Sequence, residues 1–144
     1  MTQVTFYTGV PERLGYVCRL LRKAYLSGAQ VGVCGPAALL DRLDRELWVF
    51  ASTEFVPHLR LRAGRAPAAR LAATPVQLAE QAAELPQRGV LVNLGDAIPD
   101  GIDAFERVLE VLSLEPEQVA IGRRRYREYE RMGLPPEHHV VGSA

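Results

Sequence analysis

Residues 29–48, AQVGVCGPAALLDRLDRELW, decide the fold. Val31 to Cys34 form a short, nearly all-apolar run, the composition of a strand in a sheet covered on both faces. Gly35 and Pro36 break it, and the chain then takes up helical period, with Leu39, Leu43 and Leu47 on one side. On the N-terminal side, TQVTFYT alternates and is β-branched and aromatic, which predicts a strand over Gln3 to Tyr7. Pro11 suits the first turn of a helix. Leu14, Val17, Cys18, Leu21, Ala24 and Tyr25 then recur at helical spacing until Gly28 stops it. A β-α-β-α start of this kind predicts parallel strands joined by a right-handed crossover.

Towards the C-terminus the pattern first weakens. FASTEFVPHLRLRAGRAPAARLAAT has no clean period and reads mostly as loop, including Leu59 to Thr74. PVQLAEQAAELP is ambiguous: Thr74 and Pro75 would start a helix well, while PVQLA fits a short strand. RGVLVNLG reads as a buried strand, FERVLEVL as a strand by its length, and HHVV as a short edge strand. EPEQVAIGRRRYREYERMG reads as a last helix, acidic at its start and basic later as the helix dipole prefers, with Gly133 ending it. The expected architecture is a single three-layer α/β domain over residues 1–144 with a mostly parallel central sheet, resembling nucleotide-binding folds.

Composition bounds the function. The chain has 144 residues, 17 basic and 17 acidic, and 48% hydrophobic residues. That balance argues against a direct nucleic-acid binder, which carries a broad basic surface. No apolar run is long enough to span a bilayer, and the N-terminus is not a signal peptide. Cys18 and Cys34 sit in apolar segments and read as reduced core thiols of a cytoplasmic protein. The turn VCGPAALL stands where a phosphate-binding loop would, without its Lys or hydroxyl. Cys34 lies at that turn with no basic neighbour in sequence to activate it. His138 and His139 are adjacent, so on a strand they point to opposite faces and cannot share an ion. Neither a metal set nor a nucleophile elbow is present, so no cofactor and no independent catalysis are expected. A small nucleotide-binding enzyme of the same architecture is the alternative, to be decided by whether the turn after Val33 takes phosphate.

Two features exceed what a plain core needs. The only Trp, Trp48, ends a helix and is followed by Phe55, Val56 and Pro57, an arrangement that suits either a core cap or an exposed apolar patch for a protein partner. Residues 122–133, GRRRYREYERMG, hold five arginines in a neutral chain. On a helix Val119, Gly122, Tyr126 and Tyr129 make an inward stripe, and Arg123, Arg127 and Arg131 lie four apart beside it, joined by Arg124. Glu128 and Glu130 also allow a plain salt-bridged face. Gly122 costs a helix about 1 kcal/mol against Ala, a cost that makes sense where something packs closely.

In order, TFY (5–7), LDRLDRELW (40–48), FVPH (55–58), VLVNLG (90–95), AFERVLEVL (104–112) and RRRYREYERMG (123–133) resemble the chi subunit of bacterial DNA polymerase III, end to end. The combination of LDxxLW…FVPH with RxRYxxYxxxG carries the specificity. The resemblance implies a non-catalytic accessory protein with two protein partners. One is the psi subunit, which links chi to the clamp loader and is bound in the family through residues matching Trp48, Phe55 and Pro57. The other is the acidic, Phe-ending tail of single-stranded-DNA-binding protein, bound by a last-helix set matching Arg123, Tyr126 and Arg127. A family lysine aligns with Val119, which implies that one electrostatic contact is either lost or moved to Arg124. Some members also bind a repair helicase through the psi surface.

Overall fold

The computed structural model describes residues 2–49, 55–62, 64, 67 and 69–141; residues 50–54, within FASTEF, lie outside them. The chain runs β1 (Gln3–Val10), α1 (Arg13–Leu26), β2 (Val31–Cys34), α2 (Ala37–Val49), β3 (His58–Arg60), β4 (Val76–Ala79), β5 (Val90–Asn93), β6 (Arg107–Ser113), α3 (Pro116–Arg131) and β7 (Glu137–Val140), with, among the described residues, only short 3-10 turns between β3 and β6. The strands form one sheet in the order β3-β4-β2-β5-β6-β1-β7, and every pairing is parallel. The N-terminal strand therefore lies between two C-terminal ones, Gln3 opposite Arg107 and Thr5 opposite Glu137.

Alternation along the strands divides the core into two layers. Leu109 and Val111 of β6 point to the face covered by α1 and α2, where they join Leu14, Val17, Leu21, Leu40, Leu43 and Leu47. Val108 and Leu112 point to the other face, with Phe6, Leu91, Ile102, Phe105 and Tyr129 of α3. Gly28 and Gly133 follow α1 and α3 with φ of +83° and +79°, the left-handed geometry that ends a helix without a side-chain penalty.

Several local expectations are corrected. Leu40, not Leu39, shares the fully buried stripe of α2 with Leu43 and Leu47; Leu39 is half-buried at its margin. Pro11 stands before the cap, Glu12, whose carboxylate accepts the Gly15 amide at 2.5 Å. PVQLA is a strand, because Val76 has neighbours on both sides, Val31 and His58. The region read as loop contains β3. Three residues carry no visible period, and the strand is tied to α2 by Arg60 Nε, which donates to Asp41 at 3.1 Å, with the His58 ring lying against the same helix, 3.2 Å from Asp44.

Candidate docking sites

A groove of about 560 Å³ lies between the last helix and the β6-β1-β7 end of the sheet. Its floor and walls are Phe6, Leu112, Gly122 and Tyr126, with Val119 at the mouth and Arg123 and Arg127 on the rim. Gly122 lets α3 approach: a Cβ there would lie 2.6 Å from Leu112 Cδ1. What packs closely on this glycine is thus a leucine of the chain's own sheet. Tyr126 is fixed from three sides. Its hydroxyl donates to the Pro136 carbonyl at 3.1 Å, and its ring lies 5.2 Å from Phe6 and 6.2 Å from His138. His138 in turn meets the Thr8 hydroxyl at 2.6 Å. Arg123 and Arg127 are exposed, one helical turn apart, and Glu130 shares the rim. Arg124 is exposed but does not line the groove. Val119 is 37% exposed, so it edges the groove and is not part of the buried stripe.

The residue that takes its place inward is Arg125, only 2% exposed. It pairs with Glu110 of β6, 0% exposed, at 3.1 Å, and also donates to the Gly95 carbonyl. The other Glu110 oxygen accepts from Asn93 at 2.9 Å and from the Tyr129 hydroxyl at 2.8 Å. Burial pushes the Glu110 carboxyl above its ordinary value, opposed by Arg125, Asn93 and Tyr129. This network ties α3 to the sheet directly beneath the groove. The sequence held a signal for it: Glu110 interrupts the apolar run RVLEVLS, and Arg125 lies three residues from Gly122 and four from Tyr129.

At the other end of the sheet, Trp48 and Phe55 stack with ring centroids 5.0 Å apart and are 59% and 51% exposed. The exposed Val49 follows Trp48. Phe55 continues into a hollow of about 420 Å³ that it shares with Tyr25, Leu26 and Val56. Pro57 is half-buried behind them. The structure thus brings Trp48 and Phe55 into one surface patch. The patch sits on the α2–β3 side, whereas the groove lies under α3 on the opposite face of the sheet.

The crevice at the C-terminal ends of β2, β4 and β5, where such folds take ligands, has the wrong chemistry for phosphate. Among the described residues it presents Glu80, Asp96 and Asp100 and no Lys or Arg. Burial pushes the Cys34 thiol up to about 12, far from a usable nucleophile. Among the described residues no cluster could hold a metal ion, and no helix is long and apolar enough to cross a membrane.

Comparison with known proteins identifies the family. Residues 1–137 match the family described as DNA polymerase III chi subunit, HolC. The DNA polymerase III subunit chi of Pseudomonas aeruginosa is 33% identical over 156 aligned positions, covering 96% of each chain. That of Escherichia coli is 29% identical, covering 82% of this chain and 78% of its own. That of Haemophilus influenzae is 28% identical, covering 87% and 85%. The chain belongs to the DNA polymerase III chi subunit family.

Proposed function

We propose that this chi-family protein is a non-catalytic bridge of the cytoplasmic replication machinery, holding the clamp loader through psi with one face and the acidic tail of single-stranded-DNA-binding protein with the other. The observation that carries the reading is the α3 groove: an apolar interior closed by the Tyr126 ring, with two arginines one turn apart on its rim. A C-terminal Phe needs the first, and its carboxylate with upstream aspartates needs the second, since arginine forks take carboxylates bidentately. Arg124, outside the groove but on the same helix, suits a more distant acidic residue of the tail. Rim cations speed encounter and make it salt-dependent, while the pocket sets specificity.

The stacked Trp48–Phe55 patch supports the second half of the reading. Exposed aromatic pairs of this kind are typical anchors of protein interfaces. Its distance from the groove lets both partners bind at once, as a bridge requires.

The test is fluorescence anisotropy of a labelled acidic peptide ending in Pro-Phe. Binding is expected to weaken about tenfold in Arg123→Ala, about 1.4 kcal/mol, and to weaken again with added salt. Equal affinity for wild type, Arg123→Ala and Arg127→Ala would refute the charge contacts. Binding that survives deletion of the terminal Phe would refute the pocket.

A further inference from the structure

On the side that meets the sheet, the last turn of α1 is built from small residues. Leu14, Val17 and Leu21 fill the layer beneath the helix, but Ala24, Ser27 and Ala29 follow them. They leave a hollow of about 250 Å³ between α1 and the N-terminal ends of β2, β5 and β6. Val31, Val92 and Leu109 form its buried floor, and Leu20, Ala24 and Val90 are half-buried at its sides.

The charges at its mouth have one sign. Lys23 and Arg107 line it, both exposed, and no Asp or Glu does. Among the described residues neither cation has an ion-pair partner, whereas Arg60, Arg62 and Arg125 each meet a carboxylate. The Tyr7 hydroxyl, in the same lining, has no hydrogen-bond partner among the described residues either. The Ser27 hydroxyl donates to the Ala24 carbonyl at 2.7 Å, which leaves it nothing further to donate. Three donors without acceptors around an apolar interior call for a ligand with an apolar body and one anionic end. The volume falls below the roughly 300–1,000 Å³ of sites for drug-sized molecules, so that body is short.

We propose that this hollow binds a short-chain alkanoate, with its chain over Val31, Val92 and Leu109 and its carboxylate at Lys23 and Arg107. The site is separate from both docking surfaces. The α3 groove belongs to the other face of the sheet, with Phe6 and Leu112. The hollow beside Phe55 is lined by Arg22, Tyr25 and Leu26, which helical geometry sets on the opposite side of α1 from Leu20, Ala24 and Ser27.

The experiment titrates butanoate, hexanoate and octanoate into the isotope-labelled full chain, with no partner present, and follows the backbone amide NMR shifts. Shifts are expected to centre on Ala24, Ala29, Val90 and Arg107. Each added methylene should tighten binding about fourfold, the effect of burying it. Octanol, which has the chain without the charge, should bind more weakly than octanoate. Lys23→Gln and Arg107→Gln should each weaken octanoate about two- to fivefold, the range of exposed ion pairs, and leave octanol unchanged. Arg42→Gln, which removes an exposed cation on α2, should change neither. Ala24→Leu fills the hollow with a good helix former. It should abolish octanoate binding while keeping the fold, checked by far-UV circular dichroism, and keeping the labelled acidic peptide, measured by anisotropy.

Affinity that does not rise with chain length, octanoate no tighter than octanol, or octanoate binding that survives Ala24→Leu would overturn the inference. An octanoate preference unchanged in both Lys23→Gln and Arg107→Gln would do so too, whether or not Ala24→Leu folds. Shifts centred on the α3 groove or on Phe55 would place the alkanoate in a docking surface and refute the separate site. Release of bound octanoate by the unlabelled acidic peptide would give the hollow to a peptide carboxylate and refute the free acid.

Discussion

Replacing Arg125 by Met is expected to destabilise the protein by about 3–5 kcal/mol, because the change strands a buried carboxylate. Glu110 has no exposed surface, and its Oε1 has Arg125 as its ion-pair partner. Unfolding entropy of about 2.1 cal/mol/K per residue over 144 residues makes this a fall in Tm of about 10–17 °C. The buried pair itself is near break-even against apolar side chains. Arg125→Met with Glu110→Leu should therefore recover part of the loss. Recovery stays incomplete, because the Tyr129 hydroxyl loses its acceptor, at about 1–3 kcal/mol; Asn93 keeps the Ala97 carbonyl. The deficit of the single variant should also depend on pH. Without the guanidinium, the upward push of burial on Glu110 is less opposed, so the variant keeps its proton to higher pH than wild type. Its deficit therefore shrinks as pH falls and grows as pH rises. Urea melts of the two single variants and the double variant at pH 5 and pH 8 measure all of this. A single variant within 1 kcal/mol of wild type, or a double variant that is the sum of the singles, would refute the reasoning.

Four further outcomes are expected. Phe55→Ala should lose psi in a pull-down while keeping the acidic peptide, since patch and groove lie on opposite faces; loss of both would indicate unfolding. Gly122→Leu should lift α3 off Leu112 and abolish peptide binding measured by anisotropy, while psi capture persists. Cys18 and Cys34, both pushed up to about 12 by burial, should resist iodoacetamide in the native protein at pH 8 and react in urea, as followed by mass spectrometry. Their raised values also mean that the stability these thiols contribute is complete below pH 9 and falls as pH rises towards 12, measurable as Tm against pH.

Short apolar runs made the strand–helix framework legible. VGVC, VLVN and RVLEVLS are buried almost throughout, Arg107 alone being exposed, and a parallel sheet covered on both faces is the arrangement that hides them. The stripe of α1 was equally plain. What escaped notice depended on partners distant in sequence. Strand β3 is three residues long and is fixed by Asp41 and Asp44 on α2, which no local pattern reveals. Arg125 was hidden among like residues. Five arginines in one segment read as one rim, although helical geometry turns Arg125 inward while Arg123, Arg124 and Arg127 face out. Only the acidic gap in RVLEVLS, fifteen residues earlier, distinguishes it. Of the two candidate docking surfaces, the aromatic pair was visible as residue types, but its stacking joins residues on either side of a chain segment and needs the fold.

The position of β1 has a consequence for how the molecule is made. This strand precedes the other described strands in the chain, yet its neighbours in the sheet are β6 and β7, the last two of them. A nascent chain leaving the ribosome must keep the apolar Val4 and Phe6 unpaired while some hundred residues follow, because Gln3 waits for Arg107. Closing so long a loop before any sheet contact rewards it is slow. The α3 groove is walled by β1, β6, α3 and β7 together, so it is absent from every shorter intermediate. A ribosome stalled before α3 would carry a chain with its α2 stripe already made but no receptor for an acidic tail.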